Sequence, residues 1–121
     1  MPFVVGPDAV APAGEALRGV GSGPRVVGRV VRFASLAAAA LVGPHDVIVV
    51  RAVTPALAVY ASRCTALVSE TGGLLDHGAA MARELGITCV VGCRDAWGTL
   101  DDGMTVAVDG DAGVVTILDE A

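Results

Sequence analysis

The sequence predicts a single mixed α/β domain built around short, buried strands. Apolar residues make up 54% of the 121 residues and charged residues only 17%, so the chain has ample apolar surface to bury in a core. Most of the apolar residues are Ala and Val, and Val-rich runs are typical of strands. Glycine and proline separate these runs at short intervals, and one glycine loop leads from a strand into a helix. A chain of this length accommodates one domain of ordinary size.

The domain is expected to start after a short lead-in segment. Residues 1–14 contain three prolines and two glycines, too many for a regular element. We therefore assign residues 1–14 to the lead-in and residues 15–121 to the domain.

Valine patterns predict the first strands of the sheet. Within residues 15–33 we expect a short strand, a glycine turn and a longer strand, with Val27, Val31 and Phe33 on one face. The two strands would form a hairpin or a β-corner.

The rest of the chain alternates short helices with strands. Helices are expected where capping residues or proline precede helix-forming residues, and strands where short apolar runs lie between turn residues. The predicted helical segments are residues 35–41, 55–62 with Thr54 as N-cap, 76–85 with Asp76 as N-cap and Gly86 as the stop, and a turn or helical turn at 94–100. The predicted strands are Asp46–Val50, 65–68, Thr88–Val91, and a closing hairpin of 104–109 and 113–118.

Charge and cysteine usage exclude several classes of function. The formal net charge is −5 and all eight basic residues are scattered arginines, so no nucleic-acid partner is expected. Because no apolar run is long enough for a membrane helix and the N-terminus has no signal-peptide pattern, we expect no membrane partner and a cytoplasmic location. Cys64, Cys89 and Cys93 form no CxxC pair, so we interpret them as reduced, packed thiols and expect no metal site.

A glycine loop precedes a histidine at the expected start of helix 76–85. The unpaired N–H groups and the positive dipole end of a helix favour a phosphate. The same dipole disfavours protonation of His77, and a neutral imidazole is a nucleophile near pH 7. Since phosphoryl transfer needs both properties, His77 is the candidate catalytic residue, with Thr71, Gly72 and Gly73 as candidate phosphate contacts. These residues alone do not distinguish a catalytic His77 from a histidine that stands at the start of a helix without a chemical role.

Helical periodicity separates this histidine from the packed side of the helix. The packed stripe is expected to contain Gly78, Met81, Ala82 and Leu85. His77 lies on the neighbouring stripe and is expected to stay out of the core.

The order and spacing of these segments resemble the phosphohistidine, or mobile, domain of phosphoenolpyruvate-utilising phosphotransferases such as phosphoenolpyruvate synthase, pyruvate phosphate dikinase and rifampicin phosphotransferase. The resemblance rests on residues 19–28, 43–50, the TGG loop up to His77, and residues 82–87, 90–92 and 102–115. It implies a three-layer swivelling β/β/α domain. In such a domain the histidine shuttles a phosphoryl group between an ATP-grasp-like nucleotide domain and a phosphoenolpyruvate/pyruvate barrel.

The chain departs from the family pattern beside the histidine. Asp76 and Gly78, which complete the expected phosphate-binding set, stand where the family usually has Ser, Thr or Cys and then Ala. Asp76 can cap the helix and hold one imidazole nitrogen, but its charge repels an incoming phosphoryl group and favours the protonated ring. The sequence does not decide which effect is larger. Ser22, in an altered version of the family's Ser-Pro-Gly turn, is a possible supporting residue.

Other polar residues are assigned structural roles. Arg83 matches the family's helical arginine but points about 120° away from His77, so an ion pair is favoured over a phosphate contact for this possible supporting residue. We expect His45 to be solvated, and Asp101 and Asp102 to cap a turn rather than to bind magnesium.

We therefore expect a stand-alone carrier that is one component of a phosphotransferase. No cofactor should bind it tightly, whereas Mg²⁺ with ATP or phosphoenolpyruvate is expected on nucleotide-binding and barrel subunits. One alternative is a non-catalytic binding or regulatory module in which Asp76 has ended phosphorylation. Another is the small subunit of an aconitase-like dehydratase, which shares the architecture without needing His77.

Overall fold

The computed structural model describes residues 14–33, 42–52, 60–72 and 83–119. The valine runs of these residues form strands, and glycine or polar turns end them. The strands are β1 (Ala16–Arg18), β2 (Val20–Ser22), β3 (Arg25–Arg32), β4 (Asp46–Val50), β5 (Ala66–Ser69), β6 (Thr88–Val91), β7 (Thr105–Asp109) and β8 (Val114–Asp119). Ala96–Thr99 forms one helical turn, and residues 60–61 and 83–85 are helical as well.

The strands form one mixed sheet in the order β1-β8-β7-β3-β4-β5-β6-β2. The four central strands, β3 to β6, run parallel to one another. The remaining strands pair antiparallel with their neighbours. The sheet thus combines a parallel centre with antiparallel flanks, as the mixed α/β prediction requires.

One continuous segment closes this sheet. Only Gly19 separates β1 from β2, yet β1 pairs with β8 at one end of the strand order and β2 pairs with β6 at the other. The close approach depends on glycine, because a Cβ at Gly19 would collide with the carbonyl oxygen of Val91 and one at Gly21 with that of Cys89. The closure covers the two edges that an open sheet would leave unpaired.

Side-chain alternation along the central strands divides the core into two clusters. In β4, Val47 and Val49 enter the first cluster. Ile48 and Val50 enter the second. The first cluster lies between the central strands and β7 and β8, which contribute Val106, Val108, Val115 and Ile117. The second is covered by the helical residues 60–61, so the layers follow the predicted β/β/α order.

Most strand predictions are confirmed. The predicted strands Asp46–Val50 and Thr88–Val91 coincide with β4 and β6. The strand predicted at 65–68 begins and ends one residue later, and the closing hairpin is formed by β7 and β8.

The first two predicted strands form a corner and not a hairpin. β2 pairs with β6, whereas β3 pairs with β4 and β7. Val27, Val31 and Phe33 do share a face, but Val27 is 47% exposed while the other two pack against the second cluster. The opposite face of β3 carries Val30, which is 1% exposed and belongs to the first cluster.

Several predicted segments lie outside the described residues. These are residues 1–13 of the lead-in, the helix at 35–41, and residues 55–59 and 76–82 of the other two helices. The stop of the third helix is confirmed, because residues 83–85 are helical and Gly86 has φ 73°. The prediction that Leu85 packs on the core is wrong. Leu85 is 37% exposed, and its neighbours 83, 84 and 86 are exposed too, since this helix end lies at the surface.

Candidate functional site

The four parallel strands end together at one edge of the sheet. Their last residues are Arg32, Val50, Ser69 and Val91, and the register pairs Val50 with Ser69. We call residues 32–33, 50–52, 69–72 and 91–93 the carboxyl edge. Ligands of parallel α/β sheets bind outside the carboxyl ends of the strands. The predicted phosphate loop begins at this edge, since Thr71 and Gly72 follow β5 after the single residue Glu70.

Thr71 is bound to the end of the neighbouring strand β4. Its hydroxyl donates to the carbonyl oxygen of Arg51 at 2.9 Å, and its backbone N–H donates to the same oxygen at 3.1 Å. The carbonyl of Thr71 accepts from the Ser69 hydroxyl at 2.9 Å. Because both donors of Thr71 are in use, this arrangement makes Thr71 an anchor for the loop and leaves it no free donor for a phosphate.

The backbone after β6 packs against the same loop. The N–H of Gly92 donates to the carbonyl of Thr71 at 3.1 Å. Gly92 has φ 63°, and a Cβ there would lie 2.7 Å from the carbonyl oxygen of Gly72. Gly72 itself has φ 104°. Two glycines with positive φ therefore allow the two backbones to meet, which fixes the start of the loop from a second side.

Glu70 links the loop to the helical turn Ala96–Thr99. Its carboxylate Oε2 accepts a hydrogen bond from the backbone N–H of Trp97 at 2.9 Å. Its own N–H donates to the carbonyl of Val50 at 2.9 Å. Trp97 packs in turn against the first core cluster. The residue before Thr71 is thereby tied both to β4 and to the core.

Two arginines at the carboxyl edge lie over the ring of Trp97. The guanidinium carbon is 4.3 Å from the ring centroid for Arg32 and 5.0 Å for Arg51, within the range of cation–π attraction. Arg32 is also held by carboxylates, with Asp101 Oδ1 at 3.7 Å from its Nη1 and Asp102 Oδ1 accepting from its backbone N–H at 2.6 Å.

The Cys93 thiol, which lies next to this loop, does not have the environment of a nucleophile. Cys93 is fully buried, and its N–H donates to the carbonyl of Ser69 at 3.0 Å. Burial raises the pKa of the Cys93 thiol to about 11, with further contributions from the negative charges of Glu70 and Asp95. The thiol is therefore neutral near pH 7 and acts as a packing group, as the sequence predicts.

The structure brings some of the predicted site residues together. Thr71 and Gly72 lie at the carboxyl edge. Arg83 is exposed in the last helical turn, where its carbonyl accepts from the N–H of Gly86 at 3.3 Å. The remaining predicted site residues, Gly73, Asp76, His77 and Gly78, lie outside the described residues.

Ser22 is not beside this loop. It ends β2 and pairs in register with Cys89 near the start of β6, whereas the loop lies next to the residues after the end of β6. Antiparallel pairing of β2 with β6 carries Ser22 away from the carboxyl edge, because β2 runs from Val91 back toward the amino end of β6. A direct supporting role for Ser22 at the loop therefore gains no support from the fold.

The acidic residues do not form a metal site in the part of the chain that the structure describes. No group of three or more His, Cys, Asp or Glu residues comes together there. The carboxylates of Asp101 and Asp102 both contact Arg32, so these contacts hold β3 and are not the turn caps that the sequence predicts. His45 is exposed, as expected. Within the described ranges, no helix has the length and apolarity needed to cross a membrane.

Sequence reasoning missed three residues of the carboxyl edge and its neighbourhood. Arg51 directly follows the apolar run Val47–Val50, and that position could have marked it as an edge residue. Glu70 likewise follows the next strand. Trp97 is the single tryptophan of the chain, but nothing in the local pattern shows that its ring meets two arginines.

A comparison with protein families finds a match to the family described as "PEP-utilising enzyme, mobile domain". The match covers residues 42–113. It therefore includes the whole glycine loop with Thr71, Gly72 and His77.

Curated relatives agree with that match. Phosphoenolpyruvate synthase of Aeropyrum pernix is 41% identical over 111 residues, which are 89% of this chain and 14% of the relative. Phosphoenolpyruvate synthase of Pyrococcus furiosus is 38% identical over 100 residues, which are 82% of this chain and 12% of the relative. The chain thus spans about one seventh or less of the length of these relatives.

Solved structures with similar folds include two of different kinds. The NMR structure of the Enzyme I (nEIt) protein has a TM-score of 0.57 and 28% identity, covering 65% of this chain and 33% of that one. The holo form of Thermococcus kodakaraensis aconitase X has a TM-score of 0.64 and 18% identity, covering 88% of this chain and 100% of that one. At this lower identity, the second likeness shows the fold alone.

Proposed function

The chain belongs to the PEP-utilising enzyme mobile-domain family, and on that premise we propose that it carries a phosphoryl group on His77. The family match includes His77, and the curated relatives are phosphoenolpyruvate synthases. The proposed role is that of a phosphohistidine carrier and not of a complete enzyme.

The observation that carries this proposal is the anchoring of the glycine loop at the carboxyl edge. Thr71 is bound to Arg51, and Gly72 packs against Gly92. His77 follows Gly72 by five residues. In this proposal the fixed base of the loop lets the short segment after Gly72 present the His77 imidazole at the same place in each round of transfer.

The proposed chemistry is two successive displacements at phosphorus. A neutral imidazole nitrogen of His77 attacks the phosphorus of the donor, and an N–P bond forms as the P–O bond to the enolate of pyruvate or to the nucleotide breaks. An acceptor oxygen then attacks the same phosphorus. The N–P bond breaks, and the imidazole is regenerated.

We propose that the donor and acceptor sites are supplied by other subunits. The relatives are much longer than this chain, which leaves room in them for further domains. A nucleotide-binding, ATP-grasp-like subunit and a phosphoenolpyruvate/pyruvate barrel fit the carrier chemistry. Mg²⁺ with ATP or phosphoenolpyruvate would then bind to these partners.

Intact-mass spectrometry at alkaline pH tests the phosphohistidine directly. The full chain is isolated from cells that contain its partners, and its mass is compared with that of His77→Ala. The expected result is an added phosphoryl group in the wild type that is lost on acid treatment and is absent from His77→Ala. His45→Ala serves as the matched control and should keep the group. An adduct that persists in His77→Ala, or a wild type that never carries one, would falsify the proposal.

The same experiment separates the two alternatives. A wild type without phosphohistidine that still assembles with partner subunits points to a non-catalytic module. An assembly with dehydratase activity that His77→Ala leaves unchanged points to the aconitase-like subunit. The likeness to aconitase X concerns the fold alone and gives this last alternative no additional weight.

A further inference from the structure

Arg51 differs from the other arginine that lies over Trp97. Arg32 is paired with Asp101, and its side chain is 28% exposed. Arg51 is exposed, and no carboxylate in the described part of the chain forms an ion pair with it. The charge of Arg32 is therefore partly neutralised, whereas that of Arg51 remains available.

The position of Arg51 is set from two directions. Its carbonyl oxygen accepts both hydrogen bonds of Thr71. Its guanidinium lies 5.0 Å from the centroid of the Trp97 ring. Trp97 is itself held by Glu70 through its backbone N–H. Backbone and side chain of Arg51 are thus both tied to the base of the glycine loop.

The contact between Arg51 and Trp97 does not occupy the hydrogen-bond donors of the guanidinium. A cation–π contact is an attraction between the positive charge and the ring, 5.0 Å apart here, and a guanidinium has five N–H donors in a fixed fork. These donors match the paired oxygens of a phosphoryl group. A protein with a net charge of −5 needs such a local cation to attract an anionic group to this edge.

We infer that Arg51 is a phosphoryl-binding residue that contacts the oxygens of the phosphoryl group on His77. This inference rests on the proposed function, because it assigns the contact to the phosphohistidine itself. Thr71 then acts as a positioning residue, since its two donors hold the carbonyl of Arg51 and are not available to the phosphate. Trp97 contacts the guanidinium through its ring.

The test compares three full-length variants in the presence of the partner subunits and the phosphoryl donor. Arg51→Gln removes the charge, and Arg51→Lys keeps it without the planar fork. Arg25→Gln is the matched control, because Arg25 is exposed and begins β3 at the end opposite the carboxyl edge. Phosphohistidine at equilibrium with the donor is measured by intact mass, and Trp97 fluorescence is recorded before and after phosphorylation.

Arg51→Gln should lower the ratio of phosphorylated to free chain about tenfold, since a charge-assisted hydrogen bond of ordinary strength corresponds to such a factor. Arg51→Lys should lie between Arg51→Gln and the wild type, and Arg25→Gln should match the wild type. Phosphorylation should change Trp97 fluorescence in the wild type and leave it unchanged in Arg51→Gln. A merely structural role of Arg51 would not remove this signal.

The outcomes distinguish this inference from the proposed function. Normal phosphorylation and a normal fluorescence change in Arg51→Gln overturn the role of Arg51 and leave the carrier function standing. A wild type that carries no phosphoryl group on His77 overturns the carrier function and the Arg51 contact with it. A urea denaturation curve of Arg51→Gln that matches the wild type confirms that lower phosphorylation does not reflect unfolding.

Discussion

Thr71 and Arg51 are joined by two hydrogen bonds to a single carbonyl oxygen, one from the threonine hydroxyl at 2.9 Å and one from its backbone N–H at 3.1 Å. The two residues stand 20 positions apart in the chain and follow neighbouring parallel strands. This contact connects the start of the glycine loop to the end of β4. It therefore determines where the segment that contains His77 begins.

The Thr71 hydroxyl should contribute to the free energy of unfolding, and a matched pair of variants can measure this contribution. Thr71→Val keeps the shape of the side chain and removes the hydrogen bond, and should lower the free energy of unfolding by about 1 kcal/mol. Thr71→Ser keeps the hydroxyl and should stay close to the wild type. Urea denaturation followed by circular dichroism measures the difference. Equal stability of the valine and serine variants would contradict the role assigned to this hydrogen bond.

The close approach of Gly92 to Gly72 predicts an intolerance of any side chain at Gly92. Gly92→Ala places a Cβ 2.7 Å from the carbonyl oxygen of Gly72 at a residue with φ 63°, so we expect a loss of about 1–3 kcal/mol. Gly98→Ala is the control, because a Cβ there has no heavy atom within 4 Å and Gly98 lies in a helical turn. The control should be neutral or gain up to about 1 kcal/mol. Thermal or urea unfolding of both variants checks this, and an unaffected Gly92→Ala would show that the two backbones are not in contact.

The carboxylate of Glu70 should stabilise the Trp97 turn. Glu70→Gln replaces a charge-assisted hydrogen bond with a neutral one, so we expect a loss of about 1 kcal/mol together with a change in Trp97 fluorescence. Glu84→Gln removes the same charge from an exposed helix end and should change neither quantity. Fluorescence spectra and urea curves of the two variants provide the comparison. Identical spectra for wild type and Glu70→Gln would exclude the contact.

The buried thiols predict a loss of stability at alkaline pH. Burial raises the pKa of the Cys64 and Cys93 thiols from 9.0 to about 11. Because the folded state binds the thiol proton more tightly, this stabilisation is complete below pH 9 and is lost as the pH rises toward 11. By pH 10 each thiol accounts for about 1 kcal/mol of that loss.

Urea denaturation at pH 8 and pH 10 measures this effect. The drop in the free energy of unfolding between the two pH values should become smaller by about 1 kcal/mol in Cys93→Ala, and likewise in Cys64→Ala. This difference does not depend on how far each substitution lowers the stability at pH 8. A drop that is the same in the wild type and both variants would show that neither thiol titrates differently in the folded state.

Strand positions could be predicted from local sequence because the signal for them is local. The runs at Asp46–Val50 and Thr88–Val91 are apolar after their first residue and stand between turn residues, which is the pattern of strands buried on both faces. The strand pairings could not be predicted in the same way. The local sequence was compatible with a hairpin or a corner of β2 and β3. The corner forms because β2 pairs with β6, which is distant in the chain.

The candidate site likewise contains residues that the sequence predicted and residues that only the structure revealed. The glycine loop and its histidine were evident from residue types and spacing, and the match over residues 42–113 places them in a known family. Glu70, Arg51 and Trp97 were not evident as partners. Glu70 and Trp97 stand 27 positions apart, so no helical or strand periodicity connects them.

By itself, the sequence determined the mixed α/β class, the strand runs and the loop that leads to His77, because these depend on composition and on spacing between near neighbours. Only the tertiary structure decided that residues 16–22 close the sheet and that Thr71 is anchored on Arg51 beside Trp97. The physical reason is that parallel pairing of β4, β5 and β6 brings their carboxyl ends to one edge, and contacts made there join residues that are far apart in the chain.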